Sequence, residues 1–192
     1  KRLLALSGVA NAGYLLVPMG IALGETAPYS GLQQFLYYFI AYMFMTIGAF
    51  SASMLVGKAA GHDQLNGFAG LYYRAPWTAA AMLILLLSLA GIPVTGGFFG
   101  KLFILWGAVE AKAYWISLIL ILTSVISYFY YFKIVKQMFM RGTEEAKIDV
   151  SPSLGWTIWI CAAFTVIMGI YPGGTLRIIE SVLTAAQDVL AL

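Results

Sequence analysis

The sequence predicts an all-α membrane protein with five transmembrane helices, the third discontinuous, followed by a short C-terminal amphipathic helix. Three observations predict it. Of 192 residues, 61% are hydrophobic and 10% charged, with a mean hydropathy of +0.87, whereas about a quarter of residues are charged in soluble domains. Five apolar stretches have about the length that crosses a hydrocarbon core of roughly 30 Å, which takes about 20 helical residues. One of the five is too long for a single straight crossing, and Gly91-Ile92-Pro93-Val94-Thr95-Gly96-Gly97 interrupts it.

The first span runs about 3–23, with Ser7, Gly8, Ala12 and Gly13 as small residues, and ends at Gly24-Glu25-Thr26-Ala27-Pro28. The second covers about 33–56 and holds no charge; Tyr37, Tyr38 and Tyr42 near its start suit the headgroup level, where amphipathic rings collect. A polar loop, Lys58 to Pro76, follows. The third stretch, 77–109, counts 33 residues, and with Pro93 and the Gly96-Gly97 pair it reads as two half-helices broken near 91–97. A single proline-kinked helix is the plainer reading of the same residues. The fourth span, 113–132, ends in Tyr128-Phe129-Tyr130-Tyr131-Phe132 before Lys133, Lys136 and Arg141, an interface belt with basic anchors; hydrogen bonds from Tyr128, Tyr130 and Tyr131 into a channel are the alternative reading. The fifth, 154–171, closes at Pro172-Gly173-Gly174. The tail, about 175–192, places Ile178, Ile179, Val182, Leu183, Val189 and Leu190 at helical spacing and reads as an interfacial helix.

Five crossings sort the loops by side. Lys1, Arg2, Lys58, Arg74, Lys133, Lys136, Arg141 and Lys147 share the side where the chain begins, while only Lys112 and Arg177 fall opposite. The positive-inside rule then puts the first residue in the cytoplasm and the last outside it. The net charge of +3 belongs to these loops and does not imply nucleic-acid binding.

Several chemistries are absent from the sequence. One cysteine, Cys161, excludes a disulfide within the chain and a four-thiolate iron–sulfur cluster; it reads as a small apolar filler. His62, the one histidine, sits beside Asp63 in a polar loop and reads as a solvated side chain rather than a ligand. Met43, Met45 and Met54 read as packing residues. No phosphate-binding loop, dinucleotide fingerprint or catalytic triad is written in the chain.

Lys101 is the exception. Within the five spans it is the only acidic or basic residue far from both ends, and a charge at a helix centre costs roughly 2.5–3.5 kcal/mol on insertion scales. Such residues mark ion and proton routes, and broken helices line cavities. Three arrangements accommodate it: a lysine that burial keeps neutral, a counter-charge on a helix from elsewhere, or water in a cavity. Snorkelling toward the interface near Glu110 and Lys112 is the structural alternative. Lys1 and Arg2 read as cytoplasmic anchors, with Lys1 at the mouth of the same pathway if its helix begins earlier.

Lys1-Arg2-Leu3-Leu4-Ala5-Leu6-Ser7 with Ala12-Gly13-Tyr14, and Leu89-Ala90-Gly91-Ile92-Pro93 through Gly96, Phe98 and Gly100-Lys101, resemble two motifs of the antiporter-like membrane subunits of proton-pumping NADH-quinone oxidoreductase, respiratory complex I. Ala41-Tyr42, Gly48-Ala49-Phe50 and Ser124-Val125-Ile126-Ser127-Tyr128 are most similar to subunit N, as is a lysine rather than glutamate at 101. The resemblance spans the whole chain. It implies a C-terminal fragment, a single transmembrane domain over 1–192 that holds most of the second of two inverted repeats. The opening at Lys1, without an initiator methionine, also reads as a fragment of a longer protein.

The resemblance further implies Lys101 as a proton relay, Lys1 as a second relay residue, and Gly91, Pro93, Gly96 and Gly97 as the helix break. It implies proton translocation coupled to quinone reduction in other subunits, with no cofactor in this chain and with other membrane subunits, lipid and protons as partners. A bacterial inner membrane is the expected location, an organelle membrane the alternative. Three departures matter: Leu6-Ser7-Gly8 replaces the family's Tyr-Ser-Ser, Asn11 stands where histidine or glutamine is often found, and Val94 replaces a second proline. A subunit of a sodium/proton antiporter and a structural scaffold subunit are the competing readings.

Overall fold

A computed structural model describes residues 2–21, 29–140 and 147–190. Lys1, the stretch Gly24-Glu25-Thr26-Ala27-Pro28 at which the sequence reading ends the first span, Arg141 and the last two residues lie outside that range. Eight helices make up the described chain: α1 (Arg2–Gly20), α2 (Gly31–Ala60), α3 (Leu71–Arg74), α4 (Pro76–Ala90), α5 (Gly96–Glu110), α6 (Tyr114–Phe139), α7 (Pro152–Ile170) and α8 (Pro172–Leu190). A short 3-10 turn, Leu65–Phe68, precedes α3.

Four helices, α1, α2, α6 and α7, are each long and apolar enough to cross a membrane. The fifth crossing is the pair α4 and α5. Each has 15 residues, or roughly 22 Å at 1.5 Å per residue, so neither spans a core of roughly 30 Å alone. The third span is therefore discontinuous, with residues 91–95 between its halves.

Local chemistry places these boundaries. Ser30 and Gln33 cap α2 reciprocally, the Gln33 amide donating to Ser30 Oγ (3.2 Å) and the Ser30 amide to Gln33 Oε1 (2.8 Å). Gly61, at φ 70°, ends it. Pro76, Pro152 and Pro172 stand at the first turns of α4, α7 and α8, where no intrahelical donor is lost.

The core runs through the middle of the bundle. α4 is buried on nearly every side, with Ala79, Ala81, Met82, Leu85 and Leu86 wholly inaccessible, and it packs against α2, α6 and α7. α5 continues beyond the break and packs against α1, α2, α6 and α7. α8 lays Leu176 and Ile179 against the bundle and leaves Ile178 and Val182 outward.

Several boundaries differ from the sequence reading. α6 continues to Phe139 because Ile134 and Met138 are buried and the Gln137 carbonyl accepts the Gly70 amide (3.3 Å). The segment Lys58–Pro76 is not a plain polar loop: α2 runs to Ala60, and buried Phe68 and Leu71 anchor the 3-10 turn and α3. The headgroup belt also needs correction. Tyr37 and Tyr38 are 0% exposed and Tyr131 is 1% exposed, so these rings face the bundle, while Phe129 and Phe132 of the same run face outward. Depth along the sequence does not reveal which face of a helix a ring occupies.

Candidate functional site

The break must satisfy the backbone groups that two helix ends set free, and nearby side chains do so. The Lys101 ammonium donates to the Leu89 carbonyl at the end of α4 (2.8 Å). The Tyr128 hydroxyl donates to the Gly91 carbonyl (3.0 Å). Thr95 Oγ1 donates to the Ile92 carbonyl (2.7 Å) and accepts the Phe98 amide (3.4 Å) as the N-cap of α5. Ser88 Oγ accepts the Gly97 amide (3.2 Å).

Gly91 sits at φ 87°, a left-handed cap, and a Cβ there would lie 3.3 Å from Lys101 Cδ. Val94 has φ 73°. Proline, locked near −65°, cannot adopt that value, so this geometry requires a residue other than a second proline. It places a β-branched side chain where strain of about 1–3 kcal/mol is expected.

Lys101 is partly buried on α5, and its Nζ turns back to the break instead of out toward Glu110. No carboxylate meets it among the described residues. Two features of the chain itself meet the amine. One is the carbonyl end of α4, the negative pole of that helix. The other is the face of Tyr14, whose centroid lies 5.2 Å from Nζ. The side chain lines a cavity of about 190 Å³ shared with Tyr14, Gly91, Ser124 and Tyr128.

A chain of hydroxyls adjoins this cavity. The Tyr14 hydroxyl bonds Thr123 Oγ1 (2.6 Å), Ser124 Oγ (3.0 Å) and the Leu120 carbonyl (3.1 Å) of α6. Its ring packs edge-on against Tyr38 at 6.2 Å. The Tyr38 hydroxyl donates to Asn11 Oδ1 (2.8 Å). Asn11 Nδ2 in turn donates to the Ser7 carbonyl (3.0 Å), Ser7 Oγ (3.1 Å) and the Tyr131 hydroxyl (3.4 Å), and Ser7 bonds Tyr131. Ser7, Asn11 and Tyr14 fall at i, i+4 and i+7 of α1, so one helix face carries them all. A small void of about 10 Å³ beside Ser7, Tyr42, Thr46 and Leu89 offers room on the scale of one water.

The break residues Gly91, Pro93, Gly96 and Gly97 and the lysine thus share one region of the fold, while Lys1 lies outside the described residues. Sequence reasoning missed Ser7 and Tyr38 as members of a polar seam, and it ranked a channel role for Tyr131 behind interface anchoring. It noted Asn11 and Tyr14 only through motif position. The spacing of Ser7, Asn11 and Tyr14 on one helical face was the available signal.

Comparisons with known proteins bear on the family. Residues 1–127 match the family described as "NADH:quinone oxidoreductase/Mrp antiporter, TM". NADH-quinone oxidoreductase subunit N of Paenibacillus sp. (strain JDR-2) is 56% identical over 192 residues, covering 98% of this chain and 36% of that protein. A chain of respiratory complex I from Thermus thermophilus with bound aureothin superposes with a TM-score of 0.75 at 28% identity, covering 92% of this chain and 39% of that one. A chain of the Mrp complex from Dietzia sp. DQ12-45-1b shares the fold, with a TM-score of 0.78 at 19% identity over 90% of this chain and 40% of that one. The chain therefore spans little more than a third of the length of such relatives. A family match over residues 1–127, two-thirds of the chain, places it in one group: it belongs to the NADH:quinone oxidoreductase/Mrp antiporter transmembrane family.

Proposed function

We propose that the parent protein translocates protons in the membrane arm of an NADH-quinone oxidoreductase, and that this chain supplies half of its route, with Lys101 as the relay. Quinone reduction, and the binding of NADH, flavin and iron–sulfur clusters, belong to other subunits in this reading. The complex is the enzyme, and this chain is its translocating part. Other membrane subunits are its partners, and a bacterial inner membrane with the first residue on the cytoplasmic side is its setting.

The observation that carries the proposal is a lysine amine at a helix break, held by the Leu89 carbonyl and a tyrosine face, with no carboxylate beside it among the described residues. A fixed ion pair would hold its proton strongly. A carbonyl and a ring hold it more weakly, so charge arriving from a neighbouring subunit can load or unload the amine. The hydroxyls of Tyr14, Thr123 and Ser124 lie on one side of it, and the Tyr38–Asn11–Ser7–Tyr131 group extends along α1. Asn11 cannot take up and release a proton. In this reading it orients its neighbours, and transfer past it runs through hydroxyls or water. Lys1 enters as a second relay through sequence resemblance alone.

Lys101→Ala in the complete protein within its assembled complex is expected to abolish most proton pumping, and Lys101→Arg, whose charge is permanent, to restore it only in part. Full pumping by the alanine variant would refute the relay. The Leu89 hydrogen bond also suits a purely structural lysine. That reading predicts loss of assembly, visible on a native gel, rather than an assembled complex that reduces quinone without pumping.

A further inference from the structure

A second site lies at the end of the bundle that carries the basic loops. A cavity of about 680 Å³ opens where the C-terminal end of α2, the 3-10 turn, α3 and the segment entering α7 converge, and Lys58, His62, Arg74, Lys147 and Asp149 contribute to its lining. Among the described residues that line it, three permanent cations stand with one carboxylate, and Arg74 Nη1 donates to the Gly67 carbonyl (3.5 Å). Lys58 and Lys147 are exposed.

An apolar groove of about 300 Å³ continues from it, sharing Arg74, Lys147 and Ile148 and running along α4 and α7 past Trp77, Ile158 and Trp159. The Ile148 amide donates to the Arg74 carbonyl (3.2 Å), tying two loops into the rim between cavity and groove. The two indoles stand 6.2 Å apart at 60°, and Trp77 is 75% exposed. Cations, then indoles, then aliphatic wall is the order a phospholipid presents in reverse: anionic phosphate, interfacial esters, acyl chain. Tryptophan collects at the interface, and basic pockets between helices hold anionic headgroups.

We propose that this end of the bundle binds one anionic glycerophospholipid of the leaflet facing the basic loops. Its phosphate sits at the exposed ammonium groups of Lys58 and Lys147, and one acyl chain lies against Trp77 and Trp159. Neither this site nor its occupant takes part in the proton route, so its failure would leave that proposal standing.

The test uses the complete protein in its assembled complex, reconstituted in phosphatidylcholine bilayers with phosphatidylglycerol bearing a photoreactive acyl chain. Mapped crosslinks are expected in residues 74–78 and 155–159. Unlabelled phosphatidylglycerol should compete, and the Lys58→Gln/Lys147→Gln double variant should label at least fivefold less. Several results would overturn the site: no crosslinks there, as when another protein segment covers the face; equal labelling by a photoreactive phosphatidylcholine; competition by inorganic phosphate as effective as by the lipid, which would mark a free-anion site; or unchanged labelling in the double variant. The comparison of lipid probes in the unsubstituted complex needs no variant at all.

Discussion

Two seams run beside the helix break, and they are built on opposite principles. Where α2, α5 and α7 meet it, the packing is dry and depends on missing volume. A Cβ on Gly97 would run into the Ser88 carbonyl, one on Gly169 into the backbone of Val94 and Thr95, and one on Gly48 would come within 2.6 Å of Leu85 and 2.8 Å of Cys161. Where α1, α2 and α6 meet, the packing depends on polar groups that are present, with Asn11 between Tyr38 and Tyr131. Lipid is as apolar as leucine, so helices in a membrane associate through close contact and hydrogen bonds rather than hydrophobic drive. This fold uses one device on each side of the break: the dry seam fixes the position of the backbone, and the polar seam leaves protonatable groups beside Lys101.

The dry seam should be the less forgiving. Gly97→Ala places a methyl against a backbone carbonyl that two helices hold in place, since Ser88 Oγ accepts from Gly97 itself and donates to Met45 Sδ (2.9 Å). Overpacking of this kind costs about 2–3 kcal/mol. A drop of that size in the unfolding free energy of the complete protein in detergent, with reduced assembly of its complex, is the expected outcome. A neutral result would mean that the two half-helices can shift apart, and that the break is not held by close contact.

The polar seam should yield less in stability. Asn11→Leu leaves the Tyr38 hydroxyl, and one bond to Tyr131, without a partner inside the bundle. Buried orphaned groups cost about 1–3 kcal/mol in soluble proteins, but interhelical hydrogen bonds in membranes average only about 0.6 kcal/mol. A loss of about 1–2 kcal/mol is expected. A double-mutant cycle with Tyr38→Phe isolates the Asn11–Tyr38 bond, and a coupling near zero would show that the seam contributes no net stability.

The two seams were unequally legible in the sequence. Lys101 and the break stood out because a charge is rare inside an apolar span and this one follows closely on a proline and paired glycines in a stretch too long for one crossing. The fold class followed from hydropathy for the same reason. The hydroxyl seam did not stand out, because serine and tyrosine are common in such spans and the partners lie far apart in sequence: Tyr14 and Thr123 are 109 residues apart, and Ser7 and Tyr131 are 124. Position along the chain favours the interface for the tyrosines of α2, and ranks it ahead of a channel role for those of α6, whereas helix phase is the deciding variable. The carbonyl that receives Lys101 was hidden for another reason. It is a main-chain group made available only when α4 stops, and no residue type announces it.

Gly13 gives the smallest effect and the sharpest control. It lies on the outward face of α1, a Cβ there would meet nothing within 4 Å, and Leu6, Val9 and Leu16 nearby are exposed. Glycine within a helix costs about 0.5–1 kcal/mol relative to alanine, so Gly13→Ala should raise stability by about 0.5 kcal/mol if lipid covers that face. The same chemical change, one added methyl, then has opposite signs at Gly97 and Gly13, and the sign reports what lies opposite each glycine. A loss at Gly13 in the complete protein would place another helix of the longer protein, or of a neighbouring subunit, against α1 at that point. The outward face of α1 would then be a third dry seam, and the polar face of the same helix would lie enclosed between two protein walls rather than one.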